Sequence, residues 1–130
     1  MEKVWLKQIT THQRLKLLKN SKVMKRYQGT ETEPDFVPAV KLFINNATWL
    51  LTEMDETGMC FGLCDLGQGF PELGSVHASE LEQLGVYLES DRYFVGTHPI
   101  SDYAKAARGA QRIVEDLVTT TTGQVVSLRG

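Results

Sequence analysis

The sequence predicts a single α+β domain, an antiparallel sheet of three to five strands covered on one side by an N-terminal helix and a C-terminal helix. Three observations lead there. β-rich runs separated by short turn signals fill residues 37–66, whereas helical apolar spacing with capping residues marks the two flanks. The chain has 130 residues, 42% of them apolar and 23% charged, with 11 Gly and 4 Pro. That is enough for one buried core and too little for two. It excludes collagen-like, wholly disordered and disulfide-scaffold classes.

The elements follow in order. Thr10 or Thr11 can cap a helix of two or three turns carrying Leu15, Leu17 and Leu18, which Asn20-Ser21 is expected to end or interrupt. The polar, breaker-rich stretch from Gln28 to Pro34 reads as a surface connection. Val37–Ile44, Ala47–Met54 and Met59–Leu66 then read as a three-stranded meander, turned at Asn45-Asn46 and at Asp55–Gly58. Val40, Leu42 and Ile44 share one face of the first run, and Pro38 near its start suits an edge. In the second run, strict alternation sets Trp49, Leu51 and Glu53 on one face and Leu50, Thr52 and Met54 on the other.

Gly67 to Gly74 is rich in turn residues and reads as an ordered loop. Ser79 with Glu82 has capping-box spacing for a short helix from Glu80 to about Leu84, ending at Gly85. Val86–Leu88 and Tyr93–Val95 are expected to be short strands, with Tyr87, Tyr93, Phe94 and Tyr103 as core or core-rim residues. Ser101 is the expected cap of a helix that continues past Gly109 toward Thr119. What remains reads as a tail or a last strand at Val125-Val126. The resulting organisation is a basic helical segment 1–28, an α+β core 35–118 and a tail 119–130, treated as one domain.

Charge is strongly segregated. Residues 1–28 carry eight cationic side chains against Glu2 alone, a net of +7, while the remaining 102 residues carry six cationic and fifteen acidic ones, a net of −9. Such a segment attracts phosphate or an acidic partner surface, or lies on the acidic body of its own chain. Lys16, Lys19, Lys22, Lys25 and Arg26 are the candidate partner-binding face, and direct nucleic-acid contact would run through residues 3–26. Trp5 and Tyr27 lie only at the ends of the segment, which weakens a single-strand-binding reading.

Candidate chemistry in the core is sparse. Cys60 and Cys64 stand about 13 Å apart along a strand, too far for a disulfide, and read as free buried thiols. With His77 they make three candidate ligands, one short of a structural zinc site. His12, His77 and His98 are scattered, so neither thiol has an evident base. Glu53, Asp65 and Glu72 lie in or beside β-like segments with Lys41 on a neighbouring strand, the ingredients of a metal-dependent hydrolase. The competing account has Asp65 and Glu72 capping the glycine loop through backbone N–H groups. Asp65, Gly67, Gly69, Phe70, Pro71 and Glu72 form the candidate loop site; no catalytic residue, metal or cofactor is assigned. The loop lacks both the P-loop ending and the third glycine of a dinucleotide fold.

Pro38-Ala39-Val40-Lys41-Leu42-Phe43, Ala47-Thr48-Trp49-Leu50-Leu51-Thr52-Glu53 and Phe61-Gly62-Leu63-Cys64-Asp65-Leu66-Gly67, continued by Gly69-Phe70-Pro71-Glu72-Leu73-Gly74, resemble a family of short bacterial proteins of unknown function. That family is carried largely on plasmids, integrative elements and phages. The likeness extends through Ser79-Glu80-Leu81 and through Ser101 with Tyr103-Ala104, covers about half of the chain and leaves residues 1–28 and those after Arg108 outside. It implies no activity, only the context of mobile-element cargo. The expected function is therefore a non-enzymatic accessory protein that binds a protein or protein–nucleic acid complex, with inhibition of host defence (CRISPR or restriction) as the leading role. Direct nucleic-acid binding and metal-dependent hydrolysis are the alternatives. No signal peptide or spanning segment is evident, so a cytoplasmic location is expected.

Overall fold

The computed structural model describes residues 4–128. They form helices α1 (Val4–Gln8) and α2 (Thr11–Tyr27), strands β1 (Val40–Ile44), β2 (Ala47–Met54), β3 (Met59–Asp65) and β4 (Glu72–His77), helix α3 (Ala78–Glu82), strand β5 (Glu89–Ser90), helix α4 (Ile100–Ala110) and strands β6 (Leu117–Thr119) and β7 (Val125–Ser127). The predicted α+β class with an antiparallel sheet of five strands is what is found, in the order β4-β3-β2-β1-β5. β6 and β7 pair separately as a hairpin, so the last strand at Val125-Val126 exists and the segment after Thr119 is no tail.

The sheet is covered on both faces rather than on one. Trp49 and Leu51 of β2 join Val40, Leu42, Trp5, Leu17 and Leu81 in a core beneath α1, α2 and α3. Leu50 and Leu63 join Ile100, Tyr103, Ala104 and Ala107 in a second core beneath α4, with Leu117 of the hairpin. The reason is in β2 itself, where four consecutive residues, Trp49 to Thr52, are buried. A strand with one solvated face cannot bury such a run.

Strict alternation fails within β2. Leu51 pairs with Gly62 but Glu53 pairs with Phe61, so Thr52 is an extra residue in a β-bulge. Glu53 is thereby turned beside Phe61 on the α4 side, and Met54 opposite Cys60 enters the core under the N-terminal helices. Both lie on the faces opposite to those that simple alternation assigns. Thr52 is held at the bulge from two sides, donating from Oγ1 to the Phe61 carbonyl and accepting at its own carbonyl from Asn20 Nδ2 at 2.9 Å.

That last bond explains why α2 runs 17 residues through Asn20-Ser21 instead of stopping. Both side chains are buried, and Asn20 satisfies its amide on the sheet rather than on its own backbone. Thr10 is the cap, in a reciprocal box with Gln13. Pro38 precedes β1 and is fully buried, and β1 is an inner strand flanked by β2 and β5.

Four further local expectations are corrected. Glu72–Gly74 belong to β4, not to a loop. α3 is capped by His77, whose Nδ1 accepts from the Ser79 N–H while Glu80 accepts from the His77 N–H, so the box lies two residues earlier than Ser79-Glu82. Val86–Leu88 begins as a 3-10 turn and Tyr93–Val95 is irregular; the small edge strand lies between them at Glu89-Ser90. Finally, α4 ends at Ala110, where Gln111 adopts a left-handed conformation (φ 61°), and its first turn is held not by Ser101 but by the distant Asp35 carboxylate, which accepts from the Ser101 N–H and hydroxyl. No helix among the described residues is long and apolar enough to cross a membrane.

Candidate functional site

Two of the sequence-level sites rest on named side chains, and the fold treats them differently. In the loop candidate, Asp65 closes β3 and is buried, with Oδ1 accepting from Gly67 N–H (2.9 Å) and Oδ2 from Ile113 N–H (3.0 Å). One carboxylate thus fastens the glycine turn and also the chain leaving α4. Its role in the loop is the capping one expected; the tie to Ile113, 48 residues on, is not legible locally. Gly67 adopts a left-handed conformation (φ 79°) that favours glycine, and it packs against the Asn46 side chain, which would have to move aside for a Cβ. Pro71 is buried, whereas Phe70 is 78% exposed and Glu72, also exposed, caps no backbone group among the described residues. The loop is a structural tie with an exposed aromatic tip.

The carboxylates do not assemble. Glu53 lies opposite Phe61, four residues along β3 from Asp65, about 13 Å at the strand rise. Among the described residues no group of three His, Cys, Asp or Glu side chains is placed to hold a metal ion. Lys41 is engaged elsewhere, its Nζ 2.6 Å from Glu115 Oε2 and 5.2 Å above the Phe43 ring. Cys60 and Cys64 are free thiols, and burial pushes their pKa values up to about 12 and about 11. Thiols held that far from the thiolate form are poor nucleophiles and poor metal ligands.

Glu53 instead lines a cleft of about 400 Å³ that no motif announces. Met24, Phe36, Phe61, Leu73 and Ile100 form its apolar walls, and Glu33 and Asp35 stand at its rim. Burial, and secondarily the Glu33 carboxylate, hold the Glu53 carboxyl above the usual range. Its Oε2 finds no donor among the described residues. The β-bulge created this position, and for that reason alternation along β2 could not reveal it.

The basic segment is presented outward. α2 buries Gln13, Leu17, Asn20 and Ser21 against the sheet, leaving Arg14, Lys16, Lys19, Lys22, Lys25 and Arg26 exposed. Lys25 pairs with Glu56 at 3.3 Å, an exposed bridge worth little. Lys16, Lys19, Lys22 and Arg26 make no ion pair among the described residues. α2 thus lies on the sheet by its uncharged side, with Lys25–Glu56 joining it to the acidic body; Lys3, also counted in the segment, lies outside the described residues. Trp5 is buried in the core and unavailable for stacking.

Tertiary structure supplies what the segment lacks in sequence. Gln13 Nε2 donates to the Asp91 and Arg92 carbonyls at 3.4 and 3.5 Å, drawing residues 91–96 alongside the N-terminal half of α2. Between them runs a groove of about 290 Å³ walled by His12 and Lys16 on one side and by Val37, Pro38, Phe94 and Val95 on the other. Tyr93, one residue before the groove-lining Phe94, is 92% exposed, contrary to the expectation that it belongs to the core rim; Tyr87 is exposed as well, whereas Tyr103 is buried and Phe94 packs on the second core.

The chain matches the family model described as "Protein of unknown function (DUF2958)" over residues 8–114. The match takes in the whole of α2, which the motif resemblance left outside. No curated protein and no solved structure matches the chain.

Proposed function

The chain belongs to the DUF2958 family, and from that premise we propose that it is a non-enzymatic accessory protein of mobile elements, acting in the cytoplasm, that docks through the outward face of α2 on a host or element complex. Its leading role is inhibition of a host defence assembly, a CRISPR effector or restriction enzyme that handles nucleic acid. One observation carries the reading: four cations, Lys16, Lys19, Lys22 and Arg26, stand on one helix with no ion-pair partner among the described residues. Unpaired like charges on a helix repel by a few tenths of a kcal/mol per neighbour. A surface kept in that state is matched to an external anionic one, where it raises the rate and selectivity of encounter.

The test is capture from a host lysate by the tagged full chain, with and without nuclease, alongside a variant carrying Lys16→Glu, Lys19→Glu, Lys22→Glu and Arg26→Glu. The parent should retain a stoichiometric CRISPR or restriction subunit and the variant should lose it. A variant that captures the same subunit as well as the parent removes α2 from the function.

A further inference from the structure

The anionic component that α2 meets can be specified further, on the premise that α2 is the docking face. We infer that the groove between α2 and residues 91–96, together with Tyr93 and the cationic row, is a binding surface for single-stranded nucleic acid.

The row Lys16, Lys19, Lys22, Arg26 spans ten residues, about 15 Å at the helical rise, in steps of three and four that keep it on the outward side. It is long enough to follow several phosphates of one strand. At its N-terminal end the groove changes character, with His12 and Lys16 along one wall and Val37, Phe94 and Val95 along the other. A volume of about 290 Å³ lies at the low end of small-molecule pockets, which hold about 300–1,000 Å³. A flat ring fits that volume.

Tyr93, which lies in the chain between Arg92, whose carbonyl is bonded to Gln13, and the groove-lining Phe94, is almost fully exposed. Ordering a large aromatic side chain in water has no stabilising return for the monomer, so its ring face is open to an unstacked base. Bases in a duplex are stacked on one another and offer no such face, whereas single strands present theirs freely. The combination of a phosphate-following cationic track with an aromatic platform at one end distinguishes a strand of nucleic acid from an acidic protein surface, which needs only the track.

The inference is tested with the purified full chain and a fluorescent 20-mer of thymidylate, read by anisotropy at rising salt. Four cations on a single strand give a slope of log K against log salt of about −2.8, an affinity loss of about 50-fold between about 50 and 200 mM. Tyr93→Ala should weaken binding about tenfold without altering the slope, and Tyr93→Phe should restore it, since stacking needs the ring and not the hydroxyl. Duplex of the same length should bind more weakly, and polyglutamate at equal charge should not displace the strand. Absence of binding at low salt, an unaltered affinity in Tyr93→Ala, a preference for duplex, or displacement by polyglutamate would each overturn the inference. These results are separable from the docking reading: a host subunit captured by the parent and lost by the four-site variant, with no thymidylate binding, keeps α2 as a docking face for protein.

Discussion

Glu53 shows at the scale of one residue how little of its environment a side chain carries in its identity. By alternation it would share the Trp49–Leu51 face; the extra Thr52 sends it instead into the cleft beside Phe61. There, burial first and Glu33 second favour the protonated carboxyl. The unfolded chain ionises this group at lower pH, so stability declines as pH rises from the usual glutamate value to the raised one and stays lower above it. Glu53→Gln should thus be more stable than the parent near pH 7, with the advantage vanishing by about pH 3.5, where both forms are neutral. Urea midpoints at the two pH values decide it. A parent at least as stable as the variant near pH 7 would mean the carboxylate is not desolvated there.

At the scale of elements, the pairing of β2 with β3 is organised around Gly62. An ideal Cβ at that position would lie 2.0 Å from the Leu50 carbonyl oxygen and 2.8 Å from Leu51 Cα, because the bulge brings the β2 backbone against it. Backbone atoms cannot rotate out of the way. Gly62→Ala should therefore cost about 3 kcal/mol or more, against less than about 0.5 kcal/mol for Gly74→Ala on β4, where a Cβ meets nothing within 4 Å. Thermal melts of the two variants check the contrast; equal destabilisation would show that the bulge yields readily.

Across the whole molecule, charge is divided between a cationic helix and an acidic remainder that touch, in ion-pair terms, at Lys25–Glu56 among the described residues. Repulsion along α2 is then a small standing cost of the folded chain. Replacing Lys16, Lys19, Lys22 and Arg26 by Gln should leave the fold intact and raise its stability by up to about 1 kcal/mol at low salt. The gain should disappear near 1 M salt, where the screening length falls to about 3 Å. Denaturant titrations at the two ionic strengths read it, and a destabilised variant would reveal internal partners for the row.

The α+β class, the three-stranded meander with its turns, the free thiols and the charge segregation are all legible in the order of the residues. All of these depend on patterns within about ten residues or on counting. Packing settled that the helices lie on opposite faces, that Asn20-Ser21 continues α2, that Asp65 reaches Ile113, that Asp35 holds the first turn of α4, and that the segment leading to Tyr93 is bonded to α2 through Gln13. In the hydrogen-bonded cases a polar side chain finds its partner more than 30 positions away. Local preference says only that such a group must be satisfied; which partner satisfies it is set by packing.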